Sequence, residues 1–141
     1  VIFLLTVIVG FILHYFVPIY VFASSMLTSI LSAILIMAGV LIAGWALQTM
    51  IAANVSPNPY TPTARLIVSG PYQYSRNPMY LSIALVYLAI AMMVNSLWFF
   101  MLLIPMLILV WRGIIQREEI FLEAAFGEQY KNYKKRVRCW L

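Results

Sequence analysis

The sequence predicts an all-α integral membrane protein, with about four transmembrane helices and a C-terminal cytoplasmic amphipathic helical tail. Three observations carry this expectation. Of the 141 residues, 65% are hydrophobic and 9% charged, against about 45–50% and about 25% in an ordinary soluble domain. The mean hydropathy of +0.96 is more than a 16.1 kDa soluble body, most of it surface, can absorb. No Asp, Glu, Lys or Arg occurs before Arg65. Disorder is excluded by the apolar content, and a disulfide-rich secreted fold by the single Cys139.

A bilayer core needs about 20 apolar residues per helix. Val1–Val17 just meets that length and Pro18 stops it. The second run spans Ser25 to Ala53, with Ser24 or Ser25 placed to cap its start. Gly39, Ala43 and Gly44 within it are small enough to let another helix approach closely. The third run, Met79–Val94, and the fourth, Leu97–Trp111, are short, and Pro105 is placed to kink the fourth. Only Asn95-Ser96 separates them, which predicts an antiparallel helical hairpin. Beyond it, Gln116–Phe126 reads as helix, Gly127 as a break, and Glu128–Leu141 as a basic-aromatic amphipathic stretch.

These runs form one domain: residues 1–53 carry the first two membrane helices, 54–78 a cytoplasmic loop, 79–116 the hairpin and 117–141 the tail. Val1 stands where an initiating Met is expected, so the natural N-terminus is expected upstream. Val1–Val17 lacks the charged start and small-residue cleavage site of a signal peptide. Arg65 and Arg76 lie in the loop and every other basic residue lies at or after Arg112. Four spans put loop and tail on one side, which the positive-inside rule makes cytoplasmic. The net charge of +5 then faces anionic headgroups, and no nucleic-acid partner is expected.

The loop Asn54–Pro78 is long and rich in turn formers (Pro57, Pro59, Pro62, Gly70, Pro71, Pro78), as ordered functional loops are. It ends in Gly70-Pro71-Tyr72-Gln73-Tyr74-Ser75-Arg76-Asn77-Pro78-Met79-Tyr80 and runs straight into the third helix. A second polar cluster, Arg117-Glu118-Glu119, leaves the fourth. The hairpin makes these two segments neighbours, so they are expected to face one cavity. The plainer reading is ion pairing at the membrane surface, and composition alone does not separate the two.

The string GPYQYSRNPMYLS, then REE, then FLEAAFGEQYKNYKKRVRCWL resembles the isoprenylcysteine carboxyl methyltransferase and phospholipid methyltransferase superfamily, in a bacterial-type branch. Pro57-Asn58-Pro59 and Leu66-Ile67-Val68-Ser69-Gly70 fit the same pattern, and the resemblance covers roughly Gly39 to Leu141. It implies an enzyme of a bacterial or archaeal inner membrane that uses S-adenosylmethionine, with its active site facing the cytoplasm. The cofactor contacts it implies are Asn77, Pro78, Tyr80 and Glu119; Val68, Gly70, Tyr74 and Glu118 are further cofactor candidates by their chemistry, and Arg76 and Glu119 are the candidate catalytic residues. Asn77 stands where the eukaryotic enzymes usually have His, and Ser82 near a frequent family Gly.

These residue types suit such a ligand. A carboxylate such as Glu118 or Glu119 accepts from ribose hydroxyls or an ammonium, and Arg76 or Arg117 meets a carboxylate. Tyr74 and Tyr80 offer faces to adenine or to a sulfonium cation. The backbone at Val68–Gly70 can bind an adenine edge, with Gly70 permitting close approach. Methyl transfer is an in-line displacement, so the enzyme aligns the reactants and excludes water. The chain has no Asp and one histidine, His14, in the first span. That scarcity of bases favours a carboxylate or thiol acceptor, such as isoprenylcysteine, over a phospholipid amine. His14 reads as a packing or interfacial residue, and Cys139 as a free thiol with no metal-ligand spacing around it. Tyr130, Tyr133, Lys134, Lys135, Arg136 and Trp140 read as interface anchors, or else as a flap closing over the cofactor. A lipophilic or prenylated substrate and membrane lipids are the expected partners. The rivals are a nicotinamide-dependent membrane reductase and a non-catalytic membrane binding protein.

Overall fold

The computed structural model describes residues 1–22, 26–55 and 65–140. Its elements are helices α1 (Ile2–Phe16), α2 (Met26–Ala52), α3 (Pro78–Val94), α4 (Leu97–Val110), α5 (Gln116–Phe126) and α6 (Glu128–Arg136). A 3₁₀ turn covers Gly70–Gln73, and a π-turn at Trp111–Ile115 joins α4 to α5 without a break. Among the described residues there is no strand, only an isolated bridge between Tyr20 and Ser96. The expected caps Ser24 and Ser25, and the prolines Pro57, Pro59 and Pro62, lie outside the described residues.

The helices start and stop where their residues require it. Pro78 occupies the first turn of α3, where its missing N–H is no loss. Asn95 ends α3 in the left-handed region at φ 52°, a conformation Asn tolerates better than most residues. Gly127, at φ 50°, separates α5 from α6.

Helix α2 packs along α3, α3 along α4, and α1 along α4. A Cβ on Gly39 would lie 2.8 Å from Val86 Cγ2 and 3.0 Å from the Ser82 carbonyl, so this glycine sets the α2–α3 approach. Gly44 borders open space, so of the small residues expected to admit a neighbouring helix it admits none here. Tyr87, Ala91, Phe99 and Met106 form the buried centre, closed by Phe3 and Val7 of α1. The outward faces of α1 and α2 expose Leu4, Phe11, Met37 and Leu41 among many other large apolar side chains. Soluble monomers rarely show such continuous apolar surface, whereas a lipid-facing helix requires it.

Two helical stretches, Met26–Ala52 and Leu97–Phe126, are long and apolar enough to cross a membrane. Ile2–Phe16 and Pro78–Val94 are apolar but shorter, with 15 and 17 residues.

The bundle has two distinct ends. At one, the turn after α1 meets the α3–α4 hairpin. Asn95 Oδ1 accepts from the Val21 and Phe22 amides at 3.2 and 2.9 Å, and its Nδ2 donates to the Phe22 carbonyl. Trp98 Nε1 donates to the Val17 carbonyl at 2.7 Å. At the other end lie the motif loop, α5 and α6.

Candidate functional site

The loop described from Arg65 onward has no regular structure up to Ser69, then turns at Gly70 (φ 60°) into the 3₁₀ turn. Gly70 is needed twice over. Its φ is one that other residues avoid, and a Cβ there would sit 2.6 Å from Thr49 Oγ1. Ser75 then accepts from the Asn77 amide at 3.1 Å, which holds the short link into α3.

Arg76 and Glu119 form the central contact, with Nη1 and Oε1 2.6 Å apart and both side chains largely buried. Nη1 and Oε1 are thus each other's ionic partner, and Arg76 Nε lacks a hydrogen-bond partner among the described residues. Lys134 of α6 reaches Glu119 Oε2 at 3.2 Å and Glu123 at 3.7 Å. Tyr80 donates to Glu118 Oε1 at 3.1 Å. The segments Arg76–Tyr80 and Arg117–Glu119 therefore meet directly, as the hairpin predicts.

The expected shared cavity takes a different form. The Arg76–Glu119 pair is closed, and the cleft of about 530 Å³ that opens between α2 and the loop is lined by neither residue. Trp45, Gln48, Thr49 and the stretch Arg65–Gly70 line that cleft, so Val68 and Gly70 belong to it. Tyr74 is exposed, its ring 6.3 Å from that of Trp45. Pro78 is buried at the start of α3.

The stretch after α6 completes the site. The Arg76 amide donates to the Arg138 carbonyl at 3.0 Å, and Asn77 Nδ2 to the Cys139 carbonyl at 3.1 Å. Ser75 Oγ donates to the same Cys139 carbonyl at 3.3 Å. Tyr133 Oη donates to the Tyr72 carbonyl at 2.6 Å. Tyr130, Tyr133 and Val137 pack with Leu66, Leu122 and Phe126 in a second small core. Tyr130 and Tyr133 are thus buried packing residues rather than interface anchors, because the loop and α5 supply them with an apolar seat.

Burial sets the acidities here. It pushes Tyr72 up to about 12, with the Glu118 charge adding to the effect. Tyr130 also rises to about 12, chiefly by burial and then by Glu119, against the opposing Arg76. The Tyr133 phenol is raised chiefly by burial, then by Tyr130. Burial and Glu119 hold the Cys139 thiol above its ordinary value, despite Arg76 and the bond from Asn77. All four groups are neutral at physiological pH, so charge in the site is confined to the Arg, Lys and Glu side chains.

Sequence reasoning missed Trp45, Gln48 and Thr49 as cleft walls, since α2 reads as featureless membrane helix. It also missed Lys134 as a partner of Glu119. The tail core had a legible signal: Tyr130, Tyr133 and Val137 recur at one-face helical spacing.

A family profile described as phospholipid methyltransferase (PEMT) matches residues 27–129. An uncharacterized protein of Haemophilus influenzae (strain ATCC 51907 / DSM 11121 / KW20 / Rd) is 36% identical over 63 residues, 45% of this chain and 100% of that protein. No solved structure matches.

Proposed function

The chain belongs to the phospholipid methyltransferase family, and from that premise we propose that it transfers a methyl group from S-adenosylmethionine to a lipophilic or membrane-associated acceptor. One observation supports the donor most directly: a largely buried Arg76 guanidinium paired with a largely buried Glu119 carboxylate. A zwitterionic amino acid head offers a carboxylate to the first and an ammonium to the second. The cleft between α2 and the loop, walled by Trp45 and the stretch Arg65–Gly70, would take a flat heterocycle and its ribose.

When bound, S-adenosylmethionine supplies a methyl group on a positively charged sulfur. Arg76 and Glu119 would hold the amino acid head, and Glu118, itself held by Tyr80, would take ribose hydroxyls. Val68 and Gly70 would edge the base, with Trp45 and Tyr74 flanking it. Asn77 and Pro78 contribute by fixing the start of α3, since the Asn77 side chain is already bonded to Cys139. The residues after α6 exclude water by covering Arg76 and Glu119. In this reading all four apolar helices cross the membrane, with the site facing the cytoplasm and the acceptor entering from the bilayer.

A carboxylate or thiol acceptor needs no strong base, which suits a chain with one histidine. The family's description favours a second reading, a phospholipid amine, whose proton would have to pass to a carboxylate such as Glu118. Methyl-label transfer from S-adenosylmethionine into a membrane extract, with the product identified, decides between them. Intact folded protein with no calorimetric response to millimolar S-adenosylmethionine would overturn the methyltransferase reading.

A further inference from the structure

Inward-facing positions on the long helix keep α-helical spacing as far as Val110 and lose it at the π-turn. Phe99, Met106 and Val110 are buried at positions i, i+7 and i+11. Continued unbroken, that spacing would turn Gly113, Arg117 and Phe121 inward. All three are exposed. Buried or half-buried instead are Ile114 and Ile115, then Glu118 and Glu119, Leu122 and Phe126. Each inward position after Val110 lies one residue later than an α-helix would put it. The Gln116 amide bonds to the Trp111 carbonyl, the i to i+5 link of a π-turn, which takes up one residue more than an α-turn.

We infer that this π-turn selects which charges enter the site. It presents Glu118 to Tyr80 and Glu119 to Arg76, where an unbroken helix, rotated by about 100°, would present Arg117 and Glu118. Arg117 would then stand where Glu118 now accepts the Tyr80 hydroxyl, bringing a second guanidinium towards Arg76. Gly113 has open space around its missing side chain, so no packing contact demands the extra residue. Its consequence is the phase of Glu118 and Glu119. The functional weight of this register rests on the proposed donor site, but the register itself does not.

A one-residue deletion in a helix normally rotates everything after it, just as an insertion does. Here deletion of Gly113 should convert the π-turn to an α-turn and leave Glu118 and Glu119 in place. Insertion of one alanine after Gly113, or deletion of both Gly113 and Ile114, should misplace them. The experiment uses the full chain with Cys139→Ser, and Tyr80→Cys paired with either Glu118→Cys or Arg117→Cys, treated with a short bifunctional thiol reagent. The 80–118 pair should cross-link at least tenfold better than 80–117, with or without Gly113, and the insertion should abolish that preference. In parallel, S-adenosylmethionine affinity of chains without the cysteine pairs should stay within about threefold on deletion and fall more than tenfold on insertion. A deletion as damaging as the insertion, or preferential cross-linking through position 117, overturns the inference. If the deleted chain does not fold, the cross-linking preference of the undeleted chain still decides. The cross-linking asymmetry with no S-adenosylmethionine binding in any chain would overturn the donor reading and uphold the register.

Discussion

Asn77 Nδ2 and the Cys139 carbonyl lie 3.1 Å apart although 62 positions separate them in sequence. The residue that opens α3 is thereby tied to the segment that covers the site. Asn77→Asp removes the donor and sets a carboxylate against a carbonyl, so the segment should lift. Cys139 should then react with a maleimide at least tenfold faster, while Asn77→His, which retains a ring N–H, should stay near the parent rate. Equal rates for all three would show that this bond does not hold the segment.

Arg76 and Glu119 give the second expectation. Glu119→Gln removes a charge-assisted acceptor, about 1.5–3 kcal/mol or roughly tenfold to hundredfold in S-adenosylmethionine affinity. It also leaves Arg76 buried without its counter-ion, costing about 3 kcal/mol of stability, the low end for such pairs because some solvent reaches them. Arg76→Gln combined with Glu119→Gln should regain part of that stability and none of the binding. Calorimetry and thermal unfolding in detergent measure the two quantities separately. Full binding by the double variant would remove the pair from the donor site.

Much of this arrangement was legible in the sequence. Uncharged runs marked the helices, and Asn95-Ser96 marked the hairpin that brings Tyr80 near Glu118. The rest was hidden for physical reasons. The π-turn has no residue signature, because Trp-Arg-Gly-Ile-Ile suits an α-helix equally well. Tyr130, Tyr133 and Val137 mark an apolar face by their spacing, but no local pattern names Leu66, Leu122 and Phe126 as its seat. The orientation of the Asn77 amide depends on a partner more than sixty positions away, which no local pattern encodes.

Gly70 gives a third expectation. Gly70→Ala adds a methyl 2.6 Å from Thr49 Oγ1 and 3.3 Å from Trp45 Nε1, at a φ that costs about 1–2 kcal/mol. The loop should move off α2, with S-adenosylmethionine affinity down at least tenfold and the helical content unchanged. Thr49→Gly in the same chain should restore part of the affinity by making room. No loss on Gly70→Ala would place the donor away from the cleft.

Alkaline pH gives the fourth. Tyr72 and Tyr130 ionise at about 12 in the folded protein, against about 10 in an unfolded chain. A raised folded-state value favours folding fully below about pH 10, and the benefit is lost as pH rises through about 12. The thermal midpoint should therefore be nearly flat up to about pH 9 and fall steeply between about pH 10 and 12. Tyrosinate absorbance should show a late-ionising fraction. A titration in which every phenol ionises near pH 10 would contradict the burial of this core.

The Asn95 clasp has a consequence in time. Val21 and Phe22 are synthesised 74 and 73 residues ahead of the Asn95 side chain that receives their amides. At roughly 5–20 residues per second, that gap is roughly 4–15 s of translation. Throughout it the turn after α1 stands without the acceptor that will finally close it. Water or lipid headgroups must carry those amides until the ribosome delivers the hairpin. The far end of the bundle is therefore fastened in one late event, after α1, α2 and α3 have already been made.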